Sequence, residues 1–269
     1  MPTTSPIPEQ PRVLVTRPAH QAEPLCRALE AAGFAVLRFP VIAIVPLAPD
    51  RERLHRLQHL AQQRLLLFTS VNAVDGFLRL VRESGVAAPF GVDVAAIGGR
   101  TAEALHEAGF RRVLTAPLPY TSEALLTLPQ LRDLRDEPAM LVTGEGGRGL
   151  IAAALRERGV RLSVLPVYRR ALPDTDPAPL QRALQRGDLH LLTITSGEAM
   201  DNLRHLSGPA WSDLRSLPLV TVSKRLGEKA RADGFTAEIR ITSASDAALV
   251  RSVVGWRQQT TTNGHAHER

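Results

Sequence analysis

Apolar and polar positions follow a recurring two-part pattern along the chain. Short apolar runs, such as residues 12–16 (RVLVT) and 65–70 (LLLFTS), are typical of strands buried in a parallel sheet. After most of these runs, apolar positions recur three or four residues apart, which predicts amphipathic helices. Several of these predicted helices stop at a glycine, as at Gly33 and Gly109. The alternation predicts an α/β fold of doubly wound parallel sheets.

Residues 160–173 (VRLSVLPVYRRALP) interrupt this alternation. They predict a short strand that Pro166 breaks, followed by Tyr168 and a polar, proline-containing exit. Residues 36–46 (VLRFPVIAIVP) are a similar stretch, in which Pro40 precedes Pro166 by 126 residues. Both stretches follow a strand, a turn, a helix and a glycine. They are therefore predicted to be two connectors between similar lobes.

The connectors belong to an internal repeat that covers most of the chain. Residues 65–77 align with residues 191–203 at an offset of 126, and six of the 13 positions are identical. Other segments match at nearly the same offset: 14–16 with 141–143, 95–110 with 220–235, and 122–124 with 245–247. A period this long indicates a duplicated domain, because solenoid repeats are only about 20–50 residues long.

Two segments have weaker patterns. Residues 50–62 predict one amphipathic helix, and the last helix is predicted to run from about residue 245 to residue 256. Residues 258–269 are polar, which predicts a disordered tail.

Composition excludes several classes of protein. The chain has 44% hydrophobic residues but no apolar run of about 18 residues, so no membrane span is expected. Its first residues lack the basic start and the apolar run of a signal peptide. Cys26 is the only cysteine, which excludes an internal disulfide and a cysteine-based zinc site. These features predict a protein of the reducing cytoplasm.

The charge balance favours an anionic partner. Lysine and arginine total 33 against 27 aspartates and glutamates, a formal net charge of +6. The basic residues are scattered, and only 4% of the residues are aromatic, so a nucleic-acid surface is not expected. The charge predicts an anionic small molecule, although a general contribution to solubility would explain it as well.

The candidate site residues lie where the predicted strands end, since parallel sheets bind ligands outside the carboxyl ends of their strands. Hydroxyls, glycines and bases there precede predicted helices, whose free N–H groups and positive dipole ends attract anions. Serine and threonine at these places could instead serve only as helix caps. Their recurrence in two matched sets favours a shared anionic ligand. The candidate binding residues are Arg17, Ser70, Asn72, Gly98, Arg100, Thr101, Ser122, Arg148, Thr195, Ser196, Lys224 and Ser245.

Other motifs support no strong alternative. Residues 144–149 fit the G-x-G-x-x-G dinucleotide fingerprint, but the expected acid is missing and the matching turn at residues 17–22 has no glycine. His55 and His59 are four residues apart without an acid suitably placed between them, which favours a solvated helix face over a metal site. No G-x-S-x-G motif occurs. Neither a metal nor a cofactor is predicted.

Six short stretches, in this order and spacing, resemble the uroporphyrinogen-III synthase family: LVTRP (14–18), FTS (68–70), IGGRTAEAL (97–105), TSEAL (121–125), PVY (166–168) and ITSGEA (194–199). The resemblance implies two α/β domains joined by a two-stranded connector, with the active-site cleft between them. Residues 1–39 plus 168–257 would form a discontinuous domain, residues 44–163 an inserted domain, and residues 40–43 and 164–167 the connectors.

The resemblance also implies the reaction. Hydroxymethylbilane, a linear tetrapyrrole with eight carboxylates, would lose water, invert its terminal ring through a spiro intermediate and close to uroporphyrinogen III without a cofactor. Tyr168 falls on the family's connector tyrosine and would assist departure of the hydroxyl, unless it is only a packing aromatic. Ser70, Thr101, Ser196 and Ser245 resemble the family's substrate-contacting hydroxyls.

Basic residues at the same turns would pair with the substrate's carboxylates; they are Arg17, Arg100, Arg148 and Lys224. The two sets of turns are not identical, since Leu226 stands where Thr101 stands in the other half. A monomer is expected, with transient hand-over of substrate from the preceding enzyme of the pathway. The alternative is a non-catalytic, two-lobed anion-binding receptor or regulator, which would use the same turns without needing Tyr168.

Overall fold

The computed structural model describes residues 8–118, 120–147 and 149–266. This part of the chain forms two compact units. The first unit consists of the residues up to Ala43 and those from Ala171 onward, and the second is Ile44–Arg170. No helix within the described ranges is long and apolar enough to cross a membrane.

The described strands are short and are separated by helices. In chain order the strands are β1 Arg12–Val15, β2 Ala35–Arg38, β3 Ala43–Pro46, β4 Leu65–Phe68, β5 Asp93–Ala96, β6 Val113–Thr115, β7 Pro138–Gly144, β8 Arg161–Ala171, β9 Leu191–Ile194, β10 Leu219–Thr221 and β11 Ile239–Ile241. The α-helices are α1 Ala19–Ala31, α2 Arg51–Gln58, α3 Val71–Ser84, α4 Gly99–Glu107, α5 Ser122–Leu126, α6 Pro129–Arg132, α7 Leu150–Glu157, α8 Ala178–Gln185, α9 Gly197–Ser207, α10 Trp211–Leu214, α11 Lys224–Ala232 and α12 Asp246–Ala266. Two 3-10 turns span Leu60–Gln62 and Gly208–Ala210.

Each unit contains one sheet, and the two sheets share a strand order. The first unit has the order β11-β10-β9-β1-β2, with every pair parallel. The second has the order β3-β8-β7-β4-β5-β6, and its pairs from β8 to β6 are parallel. If β7 and β8 are matched with β1 and β2, and β4 to β6 with β9 to β11, the two orders coincide, and β3 is an additional edge strand of the second sheet. The strand order therefore agrees with the repeat in the sequence.

Both faces of each sheet are covered, which explains why the strands are apolar at consecutive positions. In β4, Leu66 and Phe68 pack into one core cluster with residues of α2, α3 and α4. Leu65 and Leu67 point to the opposite face, where they join a cluster with residues of α5, α6 and α7. In the first unit, Val13 and Val15 of β1 pack against α1 and α12 on one face, and Leu14, which points to the other face, is fully buried. The predicted doubly wound α/β fold is confirmed.

Pro166 does not break its strand as the sequence predicted, because β8 continues through it to Ala171. The β7–β8 register shifts between Thr143 and Gly144, so that Thr143 pairs with Pro166 and Gly144 with Tyr168. This bulge leaves Val167 without a partner in β7, and its carbonyl accepts a hydrogen bond of 3.0 Å from the Leu47 N–H. The bulge accommodates Pro166, which has no N–H to donate.

Residues 50–62 form a helix and a turn instead of the single helix predicted. Asp50 caps α2 by accepting a hydrogen bond from the Arg53 N–H at 2.8 Å, and α2 ends at Gln58. The chain then tightens into the 3-10 turn Leu60–Gln62. Leu57 and Leu60 are both buried, and their spacing of three residues suits this tighter winding.

The predicted disordered tail, residues 258–269, is corrected as far as Ala266, where α12 ends, and residues 267–269 lie outside the described residues. Arg257 ties this extension to the loop after α1, where its guanidinium donates to the carbonyls of Ala32 and Gly33 at 3.2 and 3.3 Å. The same guanidinium lies 4.5 Å above the centre of the Phe34 ring. The polar composition concealed these contacts, because they join segments more than 200 residues apart in the sequence.

Candidate active site

Tyr168 lies in β8, within the second unit. The predicted bounds had placed residue 168 in the discontinuous domain, but the ladder with β7 continues through the Gly144–Tyr168 pair. The backbone of Tyr168 is fixed further because its carbonyl accepts a hydrogen bond of 2.8 Å from the Glu145 N–H. Only 3% of the residue is exposed. Tyr168 therefore belongs to the core of this sheet and has little freedom to move.

Gly144 provides the space in which the Tyr168 ring lies. A Cβ atom at position 144 would be 2.6 Å from Cζ of Tyr168 and 3.0 Å from its hydroxyl oxygen. No side chain fits at such distances, so the ring rests directly on the glycine backbone. This contact explains why the first glycine of the G-x-G-x-x-G segment is needed, without any bound dinucleotide.

Ser70 contacts the hydroxyl of Tyr168. The Oγ atom of Ser70 lies 3.1 Å from the Tyr168 Oη atom and also accepts a hydrogen bond from the Ala73 N–H at 3.2 Å. The second contact caps α3, which begins where the extended backbone of Ser70 ends. Next to this pair, the Thr69 hydroxyl donates to the Thr143 hydroxyl at 3.2 Å. At the ends of β4 and β7, Ser70 thus contacts the Tyr168 hydroxyl, and Thr69 and Thr143 contact each other.

These hydroxyls mark the point where the strand order of the second unit reverses, between β7 and β4. Such switch points are the usual ligand sites of open α/β sheets. The corresponding point in the first unit is between β1 and β9. Arg17 follows the end of β1, and Thr195 and Ser196 follow the end of β9. The candidates among the described residues therefore lie at the carboxyl edge of the sheet in their own unit.

In the first unit, two of the three candidate hydroxyls, those of Ser196 and Ser245 but not that of Thr195, are helix caps. Ser196 accepts a hydrogen bond from the Ala199 N–H at 3.0 Å at the start of α9. Ser245 accepts one from the Ala248 N–H at 3.3 Å at the start of α12. Lys224 is the first residue of α11 and is exposed. The helix that follows Ser223 therefore begins with an accessible positive charge.

Arg17 is more buried than a surface cation, with 8% of the residue exposed. Its guanidinium donates to Oδ1 of Asp246 at 2.5 Å and to the carbonyl of Ala244 at 3.2 Å. The contacts join the end of β1 to the turn that precedes α12, at the residues on either side of Ser245. Arg17 therefore supports this turn, and its pairing with a substrate carboxylate stays a prediction.

The start of α4 differs from the other helix starts at the site. Gly98 is the capping residue and has no side chain with which to bond the helix N–H groups. Arg100 is exposed, whereas only 6% of Thr101 is exposed. The ring of Tyr120 lies against the glycine turn, since a Cβ atom on Gly99 would be 3.8 Å from its Cζ atom and 3.5 Å from its hydroxyl oxygen.

Sequence reasoning missed Tyr120. The residue is 45% exposed and has a φ angle of 55°, a left-handed conformation that is uncommon outside glycine. One signal could have identified it: the chain has two tyrosines, and Tyr120 directly precedes the TSEAL stretch at the end of a strand–helix unit. The signal was weak because it does not show that the ring turns back toward Gly98.

The remaining candidates occupy the expected elements or lie outside the description. Asn72 is in the first turn of α3 and is half-buried. Ser122 is the first residue of α5, but the cap of that helix is the hydroxyl of Thr121, which accepts from the Ala124 N–H at 3.1 Å. Arg148 lies outside the described residues.

Histidine and acidic side chains are not grouped for metal binding in the part of the chain that the structure describes. The rings of His55 and His59 meet edge to face, with their centres 4.9 Å apart. His59 also lies 3.1 Å from the side-chain oxygen of Gln62. The pair is therefore part of the contacts of α2 with the turn that follows it.

Comparison with known proteins points to one family. A family model described as uroporphyrinogen-III synthase HemD matches residues 23–251. The uroporphyrinogen-III synthase of Escherichia coli K12 is 31% identical over 245 residues, which cover 90% of this chain and 99% of that protein. The enzyme of the same name from Salmonella typhimurium LT2 is 32% identical over 247 residues, with the same coverage of 90% and 99%.

Solved structures share the fold. A mutant uroporphyrinogen III synthase from Thermus thermophilus has a TM-score of 0.60 at 24% identity and covers 94% of this chain and 99% of its own. The uroporphyrinogen-III synthetase of Helicobacter pylori 26695 has a TM-score of 0.61 at 12% identity, with coverage of 92% and 99%. Together with the match over residues 23–251, these similarities show that the chain belongs to the uroporphyrinogen-III synthase family.

Proposed function

We propose that the chain catalyses the cyclising dehydration of hydroxymethylbilane to uroporphyrinogen III, with inversion of the terminal pyrrole ring. The match of the family model to residues 23–251 carries this assignment. The activity makes the chain a cyclising lyase of haem biosynthesis. The tyrosine held at the switch point of the second sheet gives this activity a candidate catalytic group.

The substrate's negative charge fits the turns at both sheet edges. A linear tetrapyrrole with eight carboxylates needs many donors, and the chain carries a net charge of +6. The starts of α3, α4, α9, α11 and α12 present backbone N–H groups and positive dipole ends. We assign carboxylate binding to these turns, with Arg100 and Lys224 as exposed cations.

We assign Tyr168 the role of proton donor to the departing hydroxyl of the substrate. The phenol would donate its proton to this hydroxyl, which leaves as water while the electron-rich pyrrole supplies the electron pair. The resulting cation is attacked by the substituted carbon of the terminal ring, and the spiro intermediate opens and recloses at the other position. Loss of one proton from the final ring restores its aromaticity and reprotonates the phenolate. The net change is the loss of one water.

Orientation of the substrate is the larger catalytic task. The hydroxymethyl group leaves readily, whereas ring inversion requires the terminal pyrrole to meet the cation through its substituted carbon. Rigid turns that hold several carboxylates can impose this orientation without a strong acid. A site made mainly of backbone N–H groups and hydroxyls suits that task.

The product isomer tests the proposal. Purified protein is incubated with freshly prepared hydroxymethylbilane, the product is oxidised, and the porphyrin isomers are separated by chromatography. The type III isomer is expected, because closure without inversion gives type I in the absence of enzyme. Only type I product would contradict the proposal, and tight binding without turnover would favour the anion-receptor alternative.

The proposal also covers the oligomeric state, the substrate supply and the compartment. We propose a monomer of the cytoplasm that receives its substrate from the preceding enzyme, because hydroxymethylbilane closes to the wrong isomer when left free. The buried thiol of Cys26 is compatible with a reducing compartment. Sedimentation velocity at several concentrations measures the oligomeric state, and a dimer at micromolar concentration would contradict the monomer.

A further inference from the structure

The contact between Ser70 and Tyr168 has no counterpart at the matching position of the first unit. Ser196 matches Ser70 in the repeat and caps its helix in the same way, through Ala199 N–H at 3.0 Å. At the offset of 126, however, the position of Tyr168 is occupied by Ile42. The two units therefore share a capping serine, but only the second places a tyrosine hydroxyl beside it.

Position 144, like position 168, differs between the two units of the repeat. At the repeat offset of 127 its counterpart is Arg17, whose side chain turns to Asp246. Gly144 lacks a side chain, and the Tyr168 ring fills the space that one would need. The second unit thus combines two features that are required together, the glycine and the tyrosine. A merely duplicated helix cap would require neither.

The hydrogen-bonding capacity of Ser70 suits a second role. Its Oγ atom accepts one hydrogen bond from the helix, from Ala73 N–H at 3.2 Å. One lone pair and its own O–H remain for the Tyr168 hydroxyl 3.1 Å away. Ser70 can therefore accept from the phenol in the absence of substrate, and donate to the phenol oxygen once the phenol proton points to the departing hydroxyl and is transferred to it. The positive end of α3, a helix of 14 residues, also favours negative charge at this place.

We propose that Ser70 is a positioning residue for Tyr168. It holds the phenol oxygen in one orientation and donates a hydrogen bond to that oxygen when the proton moves to the departing hydroxyl. This inference rests on the proposed function, because it assigns Ser70 a part in the step given to Tyr168. It differs from the role of substrate contact that the sequence suggested for Ser70.

A double-mutant cycle tests the inference on the full-length protein. Ser70→Ala is expected to lower kcat about tenfold, with little change in KM, since one hydrogen bond to a charged oxygen is lost. Tyr168→Phe should lower kcat at least as much, since the proton donor itself is lost. The double variant should be no slower than Tyr168→Phe, because Ser70 acts through the phenol. Ser70→Thr keeps the hydroxyl and the cap, so it should retain the rate to within about threefold.

Ser196→Ala is the matched control. Both alanine variants lose one helix cap, and they are expected to melt at similar temperatures. The effect of Ser196→Ala should multiply with that of Tyr168→Phe, because among the described residues the contact of the Ser196 hydroxyl is with the Ala199 N–H and not with a tyrosine.

Three results would overturn the inference: a Ser70→Ala effect that multiplies with Tyr168→Phe, one confined to KM, or no effect. Failure of the proposed function would differ from all three, since the wild-type protein would then give only the type I isomer.

Discussion

At position 144 the absence of a side chain determines where Tyr168 can lie. The sequence shows that glycine as part of a G-x-G-x-x-G segment, which suggests phosphate binding. The structure gives a different physical reason, because a Cβ atom would be 2.6 Å from the tyrosine ring. The glycine and the tyrosine are distant in sequence, and only the register of β7 and β8 brings them together.

Gly144→Ala should therefore displace Tyr168. The added methyl group cannot fit, because the packed core confines the ring on its other side. The free energy of unfolding should therefore fall by about 1–3 kcal/mol. We expect kcat to fall at least about tenfold as the phenol moves from Ser70. Thermal unfolding and turnover of the type III product measure the two effects.

Gly149→Ala is the control for this substitution. A Cβ atom at position 149 would meet no atom within 4 Å, so stability and turnover should stay close to wild type. Wild-type turnover of Gly144→Ala would show that the position of the Tyr168 ring does not matter for the reaction.

Residue types at the site were predictable, but their partners were not. Hydroxyls after strands predict caps, and Ser70 and Ser196 are caps. Nothing local shows that Ser70 also contacts Tyr168, or that Arg17 points to Asp246, which is 229 residues away. Such pairs depend on which strands and helices become neighbours, and that is a property of the whole sheet.

Elements were predictable where local and global preferences agree. The β4 sequence LLLF is apolar at every position and is buried on both faces. The sequence was misleading at β8, where Pro166 suggests a break. A bulge beside Pro166 lets the strand continue without the N–H that proline lacks. The sequence was misleading again at α12, whose polar end is held by contacts with the chain around Phe34.

Arg257→Ala tests that attachment of α12. The variant loses hydrogen bonds to two carbonyls and a cation–π contact with Phe34, so we expect the free energy of unfolding to fall by about 1–2 kcal/mol. Urea unfolding followed by circular dichroism measures it. Arg251→Ala, at an exposed position of the same helix, should change it by less than about 0.5 kcal/mol. Equal effects of the two substitutions would show that the Arg257 contacts contribute nothing specific.

At the scale of the whole molecule, stability should depend on the protonation of His190. Burial lowers the pKa of this histidine, whose Nδ1 atom accepts a hydrogen bond from the Arg12 N–H at 3.1 Å. The unfolded chain therefore takes up the proton first, near the ordinary histidine pKa of about 6.5. This contribution to stability is complete above that pH and declines as the pH falls below it.

We expect the urea midpoint to fall between pH 7.5 and pH 5.5 by more in the wild type than in His190→Gln, which has no titrating ring. His205→Gln removes an exposed histidine and should keep the wild-type pH dependence. If His190→Gln and His205→Gln show the same pH dependence, burial of His190 does not contribute to it.

The shared strand order also has a consequence for synthesis on the ribosome. The second unit is one continuous segment, whereas β1 and β2 of the first unit precede it and β9 to β11 follow it. The central segment is therefore complete while β1 still lacks β9, its neighbour in the finished sheet. Since domains generally fold as units during translation, the Tyr168 sheet can form before the sheet with the chain's amino-terminal strand. The first unit thus begins first during synthesis, but the second unit is the first to be complete.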